Sequence, residues 1–108
     1  MSEELNQINV HETRRFGKTL SKLPVEQLKI VENEIDKIIS NPEIGERKKG
    51  DLSYLRVHKF KINKQLALLG YSWIENRLEI ILLHLDSHEN FYQQMKTKRK
   101  TDLKLISR

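Results

Sequence analysis

The sequence predicts an α+β domain: an N-terminal helical hairpin packed on a mostly antiparallel β-sheet, in the order β-α-α-β-β-β-α. Three observations carry that expectation. Apolar residues recur at three- and four-residue steps between positions 16 and 38, they alternate from position 54, and near-continuous apolar runs follow at 65–73 and 77–85. A chain of 108 residues can build one domain with one modest core.

Residues 5–11, LNQINVH, alternate weakly and suggest a short first strand. Phe16, Leu20 and Leu23 then fall at steps of four and three, a helix spacing that begins near Glu12 or Thr13. Pro24 suits the first turn of a second helix, where a missing N–H costs nothing. Val25, Leu28, Val31, Ile35 and Ile38 form one apolar stripe along it, until Asn41-Pro42 stops the helix because the residue before proline avoids helical backbone. So short a connection makes the two helices a hairpin.

After Gly50 the period becomes two. Tyr54, Arg56, His58, Phe60 and Ile62 share one face of a strand, and Leu55, Val57, Lys59 and Lys61 the other. Asn63-Lys64 is a two-residue hairpin turn, since asparagine tolerates positive φ. The runs QLALLGYSW and RLEIILLHL read as strands buried on both faces; run length alone does not exclude a buried helix, but Tyr71, Trp73 and the flanking turns favour strand. The third strand leads into Asp86-Ser87-His88-Glu89-Asn90-Phe91-Tyr92, where Ser87 or Asp86 can cap a helix carrying His88 and Tyr92 on one face. Residues 1–96 form the expected domain and 97–108 a basic tail, either a short helix over the sheet or an arm.

Charge is unevenly distributed. The net +5 divides into −2 over residues 1–45, +5 over 46–64, −3 over 65–92 and +5 over 93–108. Two short segments therefore hold the whole positive excess, as a solvated surface or as a footprint for phosphates, where clustered Lys and Arg release counterions. The absence of cysteine excludes disulfides and thiolate metal sites and fits a reducing cytoplasm. No apolar run approaches membrane-spanning length, and the polar, acidic start is unlike a secretory signal.

Arg56, His58, His88 and Tyr92 would together supply what RNA cleavage needs: a base for the 2′-OH, a cation for the phosphate and an acid for the leaving 5′-oxygen. Histidine suits either proton transfer because it titrates near neutrality. The bland alternative is a helix cap with a core aromatic. His84 and His88 are four apart but straddle the end of a strand, so a zinc site is weak and neither metal nor cofactor is expected. His84, among Leu82, Leu83 and Leu85, reads as a partly buried structural residue.

Several of these features resemble the RelE/ParE superfamily of type II toxin–antitoxin toxins. They are the order of elements, Phe16…Leu20…Leu23-Pro24, the basic loop Lys49-Gly50-Asp51-Leu52 leading into Leu55-Arg56-Val57, and the closing Ser87-His88-Glu89-Asn90-Phe91-Tyr92. The resemblance covers roughly residues 8–96 and is closest to the RelE/StbE-type branch. It implies a ribosome-dependent mRNA endonuclease that inhibits translation and is held inactive by a cognate antitoxin, with operator DNA bound only through the antitoxin complex. It further implies that Arg56 binds phosphate, His88 lies near the scissile phosphate, and Tyr92 or Phe91 stacks on the nucleotide. Arg47, Lys48, Lys49, Lys59 and Lys61 would contact RNA. The chain offers histidines where the RelE prototype uses lysines and arginines, so His58 and His88 both stand as candidates for the general base. A ParE-like toxin that poisons DNA gyrase without nuclease chemistry shares the fold, and fold does not fix function.

Overall fold

The computed structural model describes residues 7–107, so Leu5 and Asn6 of the expected first strand lie outside it. Strand β1 (Asn9–Glu12) turns at Thr13 into α1 (Arg14–Ser21), followed by α2 (Val25–Ser40). Thr13 joins strand to helix through one hydroxyl, which accepts from the Phe16 N–H (3.1 Å) and donates to the Leu83 carbonyl (2.8 Å). The helix is thereby capped and tied to the sheet in a single residue.

A two-residue strand β2 (Glu46–Arg47) lies in what reads as a basic loop, followed by a 3₁₀ turn (Gly50–Leu52). Strands β3 (Arg56–Ile62), β4 (Gln65–Ile74) and β5 (Glu79–Ser87) complete a five-stranded sheet of order β1-β5-β4-β3-β2. All neighbours are antiparallel except β1 with β5. Asn63 and Lys64 both take positive φ (50° and 71°), the backbone that a two-residue hairpin demands. Leu78, also left-handed, closes the β4–β5 connection.

The α+β expectation holds, with helices on both faces rather than one. Phe60, Leu69, Tyr71, Ile80 and Leu82 pack under Phe16, Val31 and Ile38 of the hairpin. Val57, Leu68, Ile81 and Leu83 pack under Phe91 and Met95 of α3 (His88–Thr97) and under Leu105 and Ile106 of α4 (Arg99–Ile106). The basic tail is thus a helix seated on the second face, held by Asp102, which is wholly buried. On α2 Val31, Ile35 and Ile38 of the expected stripe reach the core, joined by Ile30 and Ile39, while Val25 is 69% exposed.

One irregularity positions the site. In β5 the register passes from Gly70↔His84 to Tyr71↔Leu82, leaving Leu83 as an extra residue. This bulge reverses the parity of the strand. Ile80 and Leu82 face the hairpin, whereas His84 packs its ring 5.7 Å from Phe91 on the α3 side.

Candidate functional site

The parity of β3 sends the sequence-derived candidates to opposite faces. Arg56 and His58 share a face with Phe60, towards the hairpin; Lys59 and Lys61 stand exposed on the α3 face. Arg56 is occupied there: its Nη1 donates to the carbonyls of Gly45 (2.9 Å) and Glu43 (3.3 Å), clamping the loop after α2. Tyr71 pins the same loop, its hydroxyl donating to Pro42 O (2.7 Å) and accepting from the Gly45 N–H (2.9 Å). His58 Nε2 lies 2.6 Å from Glu34 Oε1 of α2, and its ring stacks on Phe60. Burial pushes the Glu34 carboxyl up, but bonds from His58 and Lys37 outweigh this and hold it below the usual range.

His88 and Tyr92 lie across the sheet from that pair, so the four expected catalytic residues do not converge. Phe91 corrects a second expectation. Its ring is fully buried against Leu55 and Gly70, and a Cβ on Gly70 would come within 2.6 Å of Phe91 Cζ. A ring so enclosed packs the core and is not offered to a nucleotide. The half-buried Tyr92, perpendicular to Phe91 at 5.1 Å, is the aromatic that reaches the surface.

What does gather lies on the α3 face. Lys48 Nζ sits 5.4 Å from the centre of the Tyr92 ring and 3.1 Å from Glu46 Oε1. The bond to Tyr92, and secondarily Glu46, raise the Lys48 ammonium above its usual value despite partial burial, so it is charged at neutral pH. Lys59, Leu68 and Asp86 form one cross-strand row, with Lys61 and Leu66 in the next. His88 stands exposed at the start of α3, one turn from Tyr92, after Ser87 as N-cap. Arg47 donates to Ser53 O (3.3 Å) beside β3, and Lys49 is exposed at the head of the 3₁₀ turn.

Beneath this face runs a polar chain that spacing did not reveal. Arg15 forks onto Asp102 through two bonds of 2.9 Å, its Nε donates to His84 Nδ1 (3.2 Å), and His84 Nε2 reaches Asp86 Oδ2 (3.1 Å). With Nδ1 accepting, Nε2 must carry the proton and donate to Asp86. Burial pushes the His84 pKa down, and the Arg15 charge adds to this against the opposing pull of Asp86 and Asp102, so the ring is neutral at pH 7. A His-x-Asp step at the end of a strand is the one sequence signal for this pair, since alternate residues share a face. Among the described residues no cluster of three or more His, Asp or Glu side chains is arranged to hold a metal ion.

The model of one family, the ParE-like toxins of type II bacterial toxin–antitoxin systems, matches residues 10–96 and so nearly the whole fold. The chain belongs to that family. The toxin also resembles solved structures of the RelE/ParE superfamily. The intact Escherichia coli RelBE complex matches at a TM-score of 0.61 and 15% identity, over 75% of this chain and 96% of that one. The Mycobacterium tuberculosis RelBE2 complex matches at 0.62 and 19%, over 75% and 98%. Isolated E. coli RelE matches at 0.60 and 15%, over 84% and 98%. At such identities the likeness is one of fold. No curated protein is similar enough in sequence to match the toxin. No helix among the described residues is long and apolar enough to cross a membrane.

Proposed function

We propose that this toxin inhibits translation as a ribosome-dependent mRNA endonuclease working from the α3 face of its sheet. One observation carries the reading: a charged Lys48 laid on the Tyr92 ring, on the face that also presents the exposed Lys59 and Lys61, with the exposed His88 one turn before Tyr92. The lysines neutralise phosphate, the tyrosine offers a face to a base, and His88 donates a proton to the leaving 5′-oxygen. RNA supplies its own nucleophile, the 2′-OH, so the reaction needs only proton transfers and charge stabilisation. Arg56 and His58 act on this reading through stability alone, which removes His58 as general base. RelBE and RelBE2 were solved as toxin–antitoxin complexes. By that likeness a cognate antitoxin with an acidic segment covers the basic face here, works in the cytoplasm with its toxin, and carries the pair to operator DNA.

Purified toxin added to translating ribosomes is expected to cut message in the A site. Lys48→Ala and His88→Ala should each slow cutting by about 10²-fold or more, the usual weight of one charge-stabilising group and of one positioned acid. Lys59→Ala and Lys61→Ala should weaken binding and flatten its salt dependence by roughly 0.7–0.9 per lost phosphate contact. The separation of Arg56 and His58 from His88 and Tyr92 favours a second reading, a ParE-like poison that binds gyrase with no chemistry of its own. Intact message together with trapped gyrase–DNA complexes would establish that reading and refute the first.

A further inference from the structure

The nuclease reading lacks a base for the 2′-OH, and the buried chain beneath the α3 face ends on a group suited to be one. We infer that Asp86 is the catalytic base and His84 its positioning residue, an inference that rests on the nuclease reading of this face. Asp86 Oδ2 takes the Nε2–H of His84 (3.1 Å) and Oδ1 takes the Ser87 N–H (2.8 Å), so the carboxylate is fixed in direction and still partly exposed. It sits in the cross-strand row of Lys59, two strands away, which is about 10 Å between backbones at the usual strand spacing. A phosphate held by the lysine side chain fits between them. His88 follows two residues later.

The surroundings of His84 explain why a histidine holds this carboxylate without neutralising it. The groups facing it are Arg15 from α1, Asp102 from α4 through Arg15, Asp86 on its own strand, and the apolar Phe91 from α3. Arg15 occupies Nδ1 as a donor, which fixes the neutral tautomer with its proton on Nε2. A neutral donor orients Asp86 and leaves it free to accept a proton. Arg15 is itself aimed by the fully buried Asp102, so every link of the chain is set by the one behind it.

The step balances without a co-reactant. Asp86 takes the proton of the 2′-OH, the 2′-oxygen bonds to phosphorus, the bond from phosphorus to the 5′-oxygen breaks, and His88 protonates that oxygen. The products are a 2′,3′-cyclic phosphate and a 5′-hydroxyl.

The test is the ribosomal cleavage assay, read as kcat and KM per folded toxin. Asp86→Asn should cut at least about 10²-fold more slowly than wild type at an unchanged melting temperature, and Asp86→Glu should recover part of the loss. His84→Ala removes the donor that aims the carboxylate, so kcat per folded toxin should fall at an unchanged KM, and His84→Gln, which restores an N–H donor, should recover part of the loss. A merely structural His84 would lower the amount of folded toxin and leave kcat per folded toxin unchanged. Wild-type cutting by Asp86→Asn, or a wild-type kcat in folded His84→Ala, overturns the assignment while the nuclease reading stands. Wild-type toxin that leaves message intact overturns both.

Discussion

Truncating Phe91 separates a core residue from a nucleotide-stacking one. The ring is fully excluded from solvent, contacts Leu55 and Gly70, and meets His84 and Tyr92 at 5.7 and 5.1 Å. Phe91→Ala empties that volume in the middle of the second core cluster, at a cost of roughly 3–5 kcal/mol for a buried phenylalanine. A domain of this size is stable by about 5–15 kcal/mol, so roughly a fifth or more of its stability is at stake. Near the transition each kcal/mol lowers the melting temperature of such a domain by roughly 4–8 °C. Urea unfolding of the two proteins gives the difference directly, and Tyr92→Ala, at a half-buried position, should lose clearly less. Gly70→Ala probes the same contact from the other side. Its new Cβ would stand 2.6 Å from Phe91 Cζ and 2.9 Å from Leu55 Cδ1, an overpacking worth about 1–3 kcal/mol that Phe91→Leu should partly relieve. If Phe91→Ala unfolds within about 0.5 kcal/mol of wild type, the level of a neutral surface change, the ring does not pack as described.

Three further outcomes follow from the packing. Asp102→Asn leaves Arg15 without its counter-charge and should cost on the order of 3 kcal/mol in thermal unfolding, the low end for a broken buried pair because Arg15 is 20% exposed. Stability should fall as pH drops below about 6.5, the ordinary histidine value: the folded state holds His84 lower, so its contribution is complete above that value and lost as pH falls through the folded one. Glu34, also held low, adds a second loss below its ordinary carboxylate value of 4.5, and denaturant midpoints across pH would show both. Arg56→Ala should lose about 1.5–3 kcal/mol with its bonds to the loop carbonyls, yet its folded fraction should cut message at the wild-type rate, as a cleavage assay normalised to folded protein would report.

Local rules made much of this fold legible. The Asn63-Lys64 turn, the stop at Asn41-Pro42 and the strand period after Gly50 each depend on residues close in sequence, and each stands in the structure. The division of the candidate residues was also partly readable. Arg56 and His58 share parity with Phe60 and Ile62, an apolar company that belongs over a core, whereas Lys59 and Lys61 are the pair turned outwards. The rest depends on contacts distant in sequence. Phe91 and Tyr92 are adjacent aromatics at a helix start, and only the approach of Gly70 decides which is enclosed. Asp102 gives no sign of burial in a basic tail until Arg15, 87 residues earlier, meets it. The His84–Asp86 pair is hidden because its face depends on an extra residue that an apolar run conceals.

That extra residue divides β5 into two halves that can change independently. Ahead of Leu83, substitutions are judged by how Ile80 and Leu82 fill the space under the hairpin; beyond it, by what His84 and Asp86 present on the opposite side. Deleting Leu83 would remove the bulge and restore regular alternation, with Leu82 still opposite Tyr71 and His84 still opposite Gly70 on the α3 side, so the bulge absorbs the loss of one residue without moving either half. A lineage of such toxins can therefore exchange the chemistry at the end of this strand by substitution, and the one-residue slack at the bulge lets the strand lose a residue there without exchanging one surface for the other.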